Sequence, residues 1–281
     1  MNNSAQFKKL ITWLPRMSLL FVLLMVGLGL ANSRSMAREV NLCGERLGQE
    51  QEQAGQSLSS HLDILSWNIQ KASNEGWAED LAAMAGDVHL AFLQEASVQA
   101  DIPSTLQGRD IYRSFTQGYS TASINTGVMT LSSHTPSMLC NFRSLEPWLG
   151  TPKTATVTEH TLEDRDERLL SINLHAVNFT FGIADLEKQL KPLAGLLAQH
   201  PGPAILAGDF NTWSEARQDL VDRVLASHGL NPIEFSDDQR TRAFGRPLDH
   251  IYVRGLSVEH TEVIPVHSSD HNALRARLVI E

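Results

Sequence analysis

"GPAILAGDFNTWS", residues 202–214, opens as an apolar run and gives way at Asp209 and Asn211 to a carboxylate and an amide two residues apart. Gly208, Asp209 and Asn211 are turn formers, because glycine tolerates positive φ and Asp or Asn side chains cap the neighbouring backbone. Read this way, the stretch is a buried strand, a turn, and a helix that starts at Ser214 as its N-cap. α/β folds also place ligand-binding groups at the carboxyl ends of strands, so the rest of the chain decides whether this turn is only structural.

Outward from that stretch the chain alternates. "LDILSWNI" (62–69) and "DVHLAFLQE" (87–95) read as strands around "EGWAEDLAAMA" (75–85), which has helical spacing. "INTGVMTLS" (124–132), "TATVTEH" (154–160) and "RLLSINLHA" (168–176) are β-rich, and the last two predict an antiparallel hairpin through the charged "TLEDRDE". "IADLEKQLKPLAGLLAQH" (183–200) puts Leu186, Leu190, Leu193, Leu196 and Leu197 on one helical face, with a kink expected at Pro192. Further strands are expected at 203–207, 249–254 and 274–280. Strands of mixed type interspersed with helices fit an α/β domain of two mixed sheets packed face to face and flanked by helices.

The first 37 residues differ from the rest. Lys8, Lys9 and Arg16 precede a nearly unbroken apolar run from Met17 to Ala31, and Ser35-Met36-Ala37 offers small residues for cleavage. Residues 1–37 are therefore expected to be a signal peptide or a membrane anchor, with attachment through residues 11–31 in the second case. Either way the domain is expected to be exported, to the periplasm or anchored at the inner membrane outside the cytoplasm. Residues 38–60, polar and Gln/Glu-rich, read as a linker, and 61–281 as one domain. The formal charge is −9, and removing the four basic residues of 1–37 leaves −13. Such a balance disfavours tracking along a polyanion, though not a phosphodiester held by a metal and a few local cations. Cys43 and Cys140 are the only cysteines, which excludes a cysteine-based zinc site and leaves a single bridge or two thiols.

Polar groups recur at strand ends: Asn68 in "LSWNIQK", Glu95 in "FLQEAS", Asn173 and His175 in "INLHAVN", Asp209 and Asn211, Asp249 in "PLDHIYV", and Asp270 and His271 in "SSDHNAL". A hard cation such as Mg²⁺ takes oxygen ligands from one or two carboxylates and keeps waters that a phosphate can replace. Attack on phosphorus also needs a group to deprotonate water and donors for the developing charge. These residue types supply both. The stretch "DDQRTRAFGRPLDH" (237–250) adds Arg240, Arg242 and Arg246, either a phosphate-recognition loop or a loop tied to Asp237 and Asp238.

In the order "WNIQ", "LQE", "NLH", "GDFN", "LDHIYV", "SDHNAL", from about residue 61 to the end, the chain resembles the endonuclease/exonuclease/phosphatase superfamily of DNase I-like enzymes. "HAVNF" and the arginine stretch narrow the resemblance to a small bacterial branch. It implies a four-layer α/β sandwich and a Mg²⁺-dependent phosphoesterase, with Mn²⁺ as a substitute. By the same resemblance Asp209 activates water, Asn211 fixes Asp209 and touches the phosphate, and Asn68 and Glu95 hold the metal with Asp270 as a further ligand. His271, oriented by Asp249, would donate to the phosphate, and His175 would donate to it or assist the leaving group. Asn173, Arg242 and Arg246 are the expected substrate contacts.

The expected partner is a phosphodiester, in a nucleic acid, a phospholipid or a small phosphoester, and the chain is read as a monomer without a protein partner. A nuclease, a sphingomyelinase-like enzyme and an inositol phosphate phosphatase share this centre. No long basic insertion for duplex DNA and no aromatic hairpin for a bilayer is evident, which points to a small or single-stranded substrate. Outside the class stand a binding protein on a decayed catalytic fold, against which all the motif residues are present, and a zinc hydrolase, for which the paired His of HExxH are missing. His250, Trp67 and Trp213 read as packing residues.

Overall fold

The apolar run after Pro203 forms a strand, β8 (Ala204–Asp209), buried along its whole length. The computed structural model describes residues 39–49, 57–106, 108, 110–147 and 149–281. The expected leader over 1–37, with its attachment segment 11–31, and residues 50–56 of the polar segment lie outside the described residues. Among the described residues no helix is long and apolar enough to cross a membrane.

Two six-stranded mixed sheets carry the fold. The first contains β1 (His61–Asn68), β2 (Leu90–Ser97), β3 (Tyr112–Ser120), β4 (Asn125–Ser132), β13 (Leu256–Ile264) and β14 (Ala273–Ile280), in the order β13-β14-β1-β2-β4-β3. The second contains β5 (Met138–Leu145), β6 (Pro152–Thr161), β7 (Arg168–His175), β8, β9 (Asn231–Pro232) and β12 (Asp249–Arg254), in the order β5-β6-β7-β8-β12-β9. A short hairpin, β10 (Arg242–Ala243) and β11 (Arg246–Pro247), stands apart from both. Among the described strands, β1 with β2 and β7 with β8 are the pairs that run parallel. A parallel pair needs a long crossover. These two are joined through α1 (Trp77–Ala85) and α2 (Ala184–Gln199), and α3 (Glu215–Ala226) follows β8.

The alternation of side chains explains the layers. Leu62 and Ile64 of β1 meet Phe92, Ile205, Ala207, Ile251, Val253 and Leu274 between the sheets. Leu65 and Trp67, one position out of step, pack with Leu81 and Met84 of α1 on the other face. Central strands covered on both faces lose the polar half of their pattern, so they read as continuous apolar runs.

The hairpin expected over 154–160 and 168–176 is β6 and β7. α2 runs unbroken through Pro192, where a kink was expected, with the proline ring buried on the helix's apolar face. Cys43 and Cys140 form a disulfide. Within the segment expected to be a loose linker, Arg46 Nη1 donates to the Leu139 carbonyl at 3.0 Å, and the Gly48 N–H donates to the buried Glu159 carboxylate at 3.0 and 3.1 Å. Leu58 is buried and bridges to Leu162. The disulfide and these bonds hold residues 43–49 against the domain.

The disulfide joins positions 97 residues apart. Closing a loop of that size restricts the unfolded chain, so Cys43→Ser with Cys140→Ser is expected to cost about 2–5 kcal/mol. Urea unfolding checks this: a lower midpoint, with a slope that steepens as the unfolded chain loses its cross-link, supports it, and an unmoved midpoint contradicts it.

Candidate active site

Strand register assembles the site. His175 of β7 lies opposite Asp209 of β8, and Asp209 lies opposite Asp249 of β12. Residues paired in this way face the same side of a sheet. Two positions back, Ala207 and Ile251 belong to the apolar layer between the sheets. The three polar groups therefore continue that layer past its apolar end. Gly208 has φ +144°, and a Cβ there would run into the Leu174 carbonyl oxygen, so glycine lets β7 and β8 close up beside Asp209.

The facing sheet supplies the other wall. Asn68 ends β1 on the face of Leu62 and Ile64, and its Nδ2 donates to Asp209 Oδ2 at 3.1 Å. The second Asp209 oxygen accepts from the Asn211 N–H at 2.9 Å, in a turn where Asn211 takes φ +51°. Asn211 Nδ2 is spent on the Ala176 carbonyl at 3.0 Å. His271 Nδ1 lies 2.7 Å from Asp249 Oδ2, and Trp67 Nε1 donates to the His271 carbonyl at 2.9 Å. In β2 a bulge between Leu93 and Ala96, with Glu95 at φ +51°, turns the Glu95 carboxylate towards the same place. Glu95 is 2.6 Å from Lys71 Nζ and 3.9 Å from His175 Nε2.

Burial sets the electrostatics. It pushes the Asp209 carboxyl up to about 6, helped by Asp249 and opposed by His271, Lys153 and the Asn211 N–H. Burial works against charge on His271 too, but Asp249, Asp209 and Asp270 outweigh it and push the imidazole up to about 10. His175 goes the other way: burial, then Lys153, His271 and Lys71, hold it well below its ordinary value. A neutral His175 accepts at Nε2 from Lys153 Nζ, 2.7 Å away. The donor position expected of His175 is thus taken by the Lys153 ammonium.

Asn173 does not join the site. It is wholly buried, its Nδ2 donates to the carbonyls of Met129 and Leu93 at 3.0 and 3.2 Å, and its Oδ1 accepts from Gln94 Nε2 at 2.8 Å. It ties the two sheets together, and the substrate contact expected of it is corrected to this role. Arg242 and Arg246, also expected as substrate contacts, are paired instead: Arg242 with Asp238 at 2.6 Å and Arg246 with Glu215 at 3.4 Å. Asp270 stands exposed at the rim, its N–H on Gln70 Oε1 at 3.2 Å. His250 packs edge-on to Phe210, bonds Thr212 Oγ1 at 2.8 Å, and is pushed down to about 3 by burial and Arg240.

Three contributors were not anticipated. Lys71 follows the "WNIQ" motif at φ +66°, and Lys153 stands near the start of β6. Arg217 is fully buried, donating from Nε to the Asn211 carbonyl at 2.7 Å, from Nη1 to Thr180 Oγ1 at 3.1 Å and from Nη2 to the Val177 carbonyl. It clips the loop after β7 to the Asp209 turn. Its signal was present in the sequence: Arg217 shares a helical face with Leu220 and Val221.

Two cavities open here. A cleft of about 290 Å³ is lined by Lys71, Glu95, Lys153, His175 and Phe179 among others. A larger one of about 810 Å³ shares Phe179, reaches Asn211, and is otherwise lined mainly by Phe181, Trp213, Ala243, Phe244 and Leu248. Phe244, at the tip of the β10–β11 hairpin, is 89% exposed. An aromatic hairpin is therefore present where none was expected, and Trp213 lines a cavity as well as packing.

Two mixed sheets closing over buried carboxylates and a carboxylate-paired histidine define a DNase I-like protein. Residues 65–271 match the model of the Endonuclease/Exonuclease/phosphatase family, and the chain belongs to that family. It is 40% identical over 223 residues to a UPF0294 protein of Klebsiella pneumoniae (strain 342), covering 79% of this chain and 84% of that one. A UPF0294 protein of Vibrio vulnificus (strain YJ016) is 39% identical over 214 residues, covering 76% and 75%. Among solved structures, the human Nocturnin catalytic domain with bound sulfate anion superposes with TM-score 0.60 at 16% identity, over 81% of this chain and 97% of that one. A mannosyl-6-phosphatase of Bacteroides thetaiotaomicron superposes with TM-score 0.59 at 17% identity, over 78% and 100%. The two structures bear on the fold alone.

Asp249→Asn removes the main source of charge stabilisation at His271. NMR titration of the imidazole is expected to show proton release near pH 10 in the native protein and well below that in the variant. An unshifted His271 titration in Asp249→Asn would contradict the pairing.

Proposed function

We propose that this chain is a Mg²⁺-dependent phosphoesterase acting on phosphodiesters, with Mn²⁺ able to replace Mg²⁺. The observation that carries the reading is the register row His175, Asp209, Asp249, closed by His271 and Asn68 at one end of the apolar layer. Family membership supports the coarser class, hydrolysis of phosphoric esters.

The donor set fits a hard cation. Among the described residues no three His, Cys, Asp or Glu side chains cluster to hold an ion by themselves. Glu95 and the Asn68 carbonyl, with Asp270 at the rim, offer oxygen only, which suits Mg²⁺ because it keeps several waters and a substrate oxygen in its shell. When bound, such an ion would supply positive charge to the phosphate oxygens.

The protein groups divide the remaining work. Asp209 accepts a proton from water as the water oxygen attacks phosphorus in line with the ester oxygen that leaves. Asn68 and the Asn211 N–H hold the carboxylate in place for that transfer. His271, with Nδ1 committed to Asp249, presents Nε2–H to a non-bridging oxygen, and the Lys153 ammonium donates beside it. The P–O bond breaks, the leaving oxygen takes up a proton from solvent water, and Asp209 returns the proton it accepted to solvent. Export of the working enzyme as a monomer belongs to the same proposal, supported by the apolar leader in the sequence and by a disulfide, which persists in oxidising compartments.

The test is turnover of plasmid DNA, abasic and single-stranded oligonucleotides, sphingomyelin and inositol phosphates with Mg²⁺, Mn²⁺ or EDTA. Metal-dependent turnover should fall at least about 100-fold in Asp209→Asn and His271→Ala. Turnover indifferent to either substitution would refute the assignment.

A further inference from the structure

From the cavity beside the site we infer the substrate class: the phosphoester carries a long apolar arm, an alkyl or acyl chain, which lies in the cleft of Phe179, Trp213 and Phe244 while the phosphate sits over Asp209. This rests on the phosphoesterase reading and adds the part of the substrate that the chemistry does not touch.

The cleft adjoins the reacting centre. Asn211 lines it while its N–H holds Asp209 Oδ1 at 2.9 Å, and Phe179 is common to it and to the smaller cavity that contains Glu95, Lys153 and His175. About 810 Å³ is the size of a pocket that accommodates one small amphiphile.

Its wall is also preformed. The buried Glu146 accepts from the Asn178 and Phe179 N–H groups at 2.7 and 3.3 Å, and Gln189 Oε1 accepts from the Val177 N–H at 2.8 Å. Trp213 packs edge-on to Phe244, with ring centroids 6.3 Å apart, and lies under the Arg217 guanidinium. The braced wall leaves Phe179 and Phe244 60% and 89% exposed, an apolar surface of the kind that marks a binding site.

Polar recognition is nearly absent from the wall. Among the described residues no charged side chain lines the cleft. Asn178 Oδ1 accepts from Trp213 Nε1 at 3.1 Å, and the Thr180 hydroxyl accepts from Arg217. The two arginines that flank Phe244 are held by Asp238 and Glu215. A base could stack on these rings, but a nucleotide arm with further phosphates would also need cations along the wall; a hydrocarbon arm needs none.

The test is calorimetric titration of the whole protein, with Mg²⁺, against methyl-, butyl- and octylphosphonate below their micelle concentrations, and against a thymidine 5′-phosphonate. Each methylene fully buried would tighten binding about fourfold. In an open cleft the octyl compound should bind at least about tenfold more tightly than the methyl one; Phe179→Ala and Phe244→Ala should each flatten that dependence, and Phe244→Ala, remote from the smaller cavity, should leave methylphosphonate binding unchanged. Equal affinities across the alkyl series, failure of octylphosphonate to bind, a dependence untouched by either variant, or tighter binding of the thymidine compound would each overturn the inference. Hydrolysis separates the two readings. Methyl and octyl 4-nitrophenyl phosphates cleaved equally well would refute the apolar arm alone. Chain-length-dependent binding with neither ester cleaved would refute the phosphoesterase reading alone.

Discussion

Asp209 is a carboxylate at the bottom of the layer between two sheets, 2% exposed. A buried charge has to be met by hydrogen bonds and opposite charge or be given up. Here Asn68 and the Asn211 N–H meet it directly, His271 and Lys153 through their fields, and the carboxyl is left titrating near 6. Those neighbours come from the ends of β1, β6 and β8 and from the segment before β14. The requirement to hold one carboxylate poised between its two states therefore fixes how both sheets terminate.

The apolar layer and the polar site are one construction. The alternation that sends Ile205 and Ala207 into the core also sends Asp209 there, and on β12 Asp249 precedes Ile251 and Val253 on the same face. A slip of one residue in the β7–β8 or β8–β12 pairing would turn these groups outwards. Asn173 guards against it: its amide bonds from β7 to carbonyls of β2 and β4, one step below His175 on the shared face. A residue that resembles a ligand in the sequence thus serves the site by pinning the sheets.

What the sequence shows and what it hides follow from burial. The central strands, covered on both faces, are continuous apolar runs and stand out, as do α1 and α2 with their one-sided stripes. β3, β5 and β13 were missed because each lies at a sheet edge. "LSVEHTEVI" of β13 is buried only at Leu256 and Val263, so its pattern carries little apolar signal. The ordered motifs disclosed Asn68, Glu95, Asp209, Asp249 and His271, which the fold brings together. Lys71, Lys153 and Arg217 escaped because their partners are distant in sequence, and the pairing of Arg242 and Arg246 with acids was hidden because a free arginine and a paired one look alike. The aromatic cleft is assembled from three loops, 178–181, 211–213 and 243–248, and no single stretch announces it.

The division of labour between Asp209 and the His271–Asp249 pair is tested most directly by the pH dependence of kcat/KM on any substrate the enzyme turns over. A base that must be ionised, pushed up to about 6, and an imidazole that must keep its proton, pushed up to about 10, give a plateau between those values, with Asp249→Asn pulling the alkaline limb downward. An alkaline limb that stays in place in Asp249→Asn, or a profile without an acid limb, would contradict it.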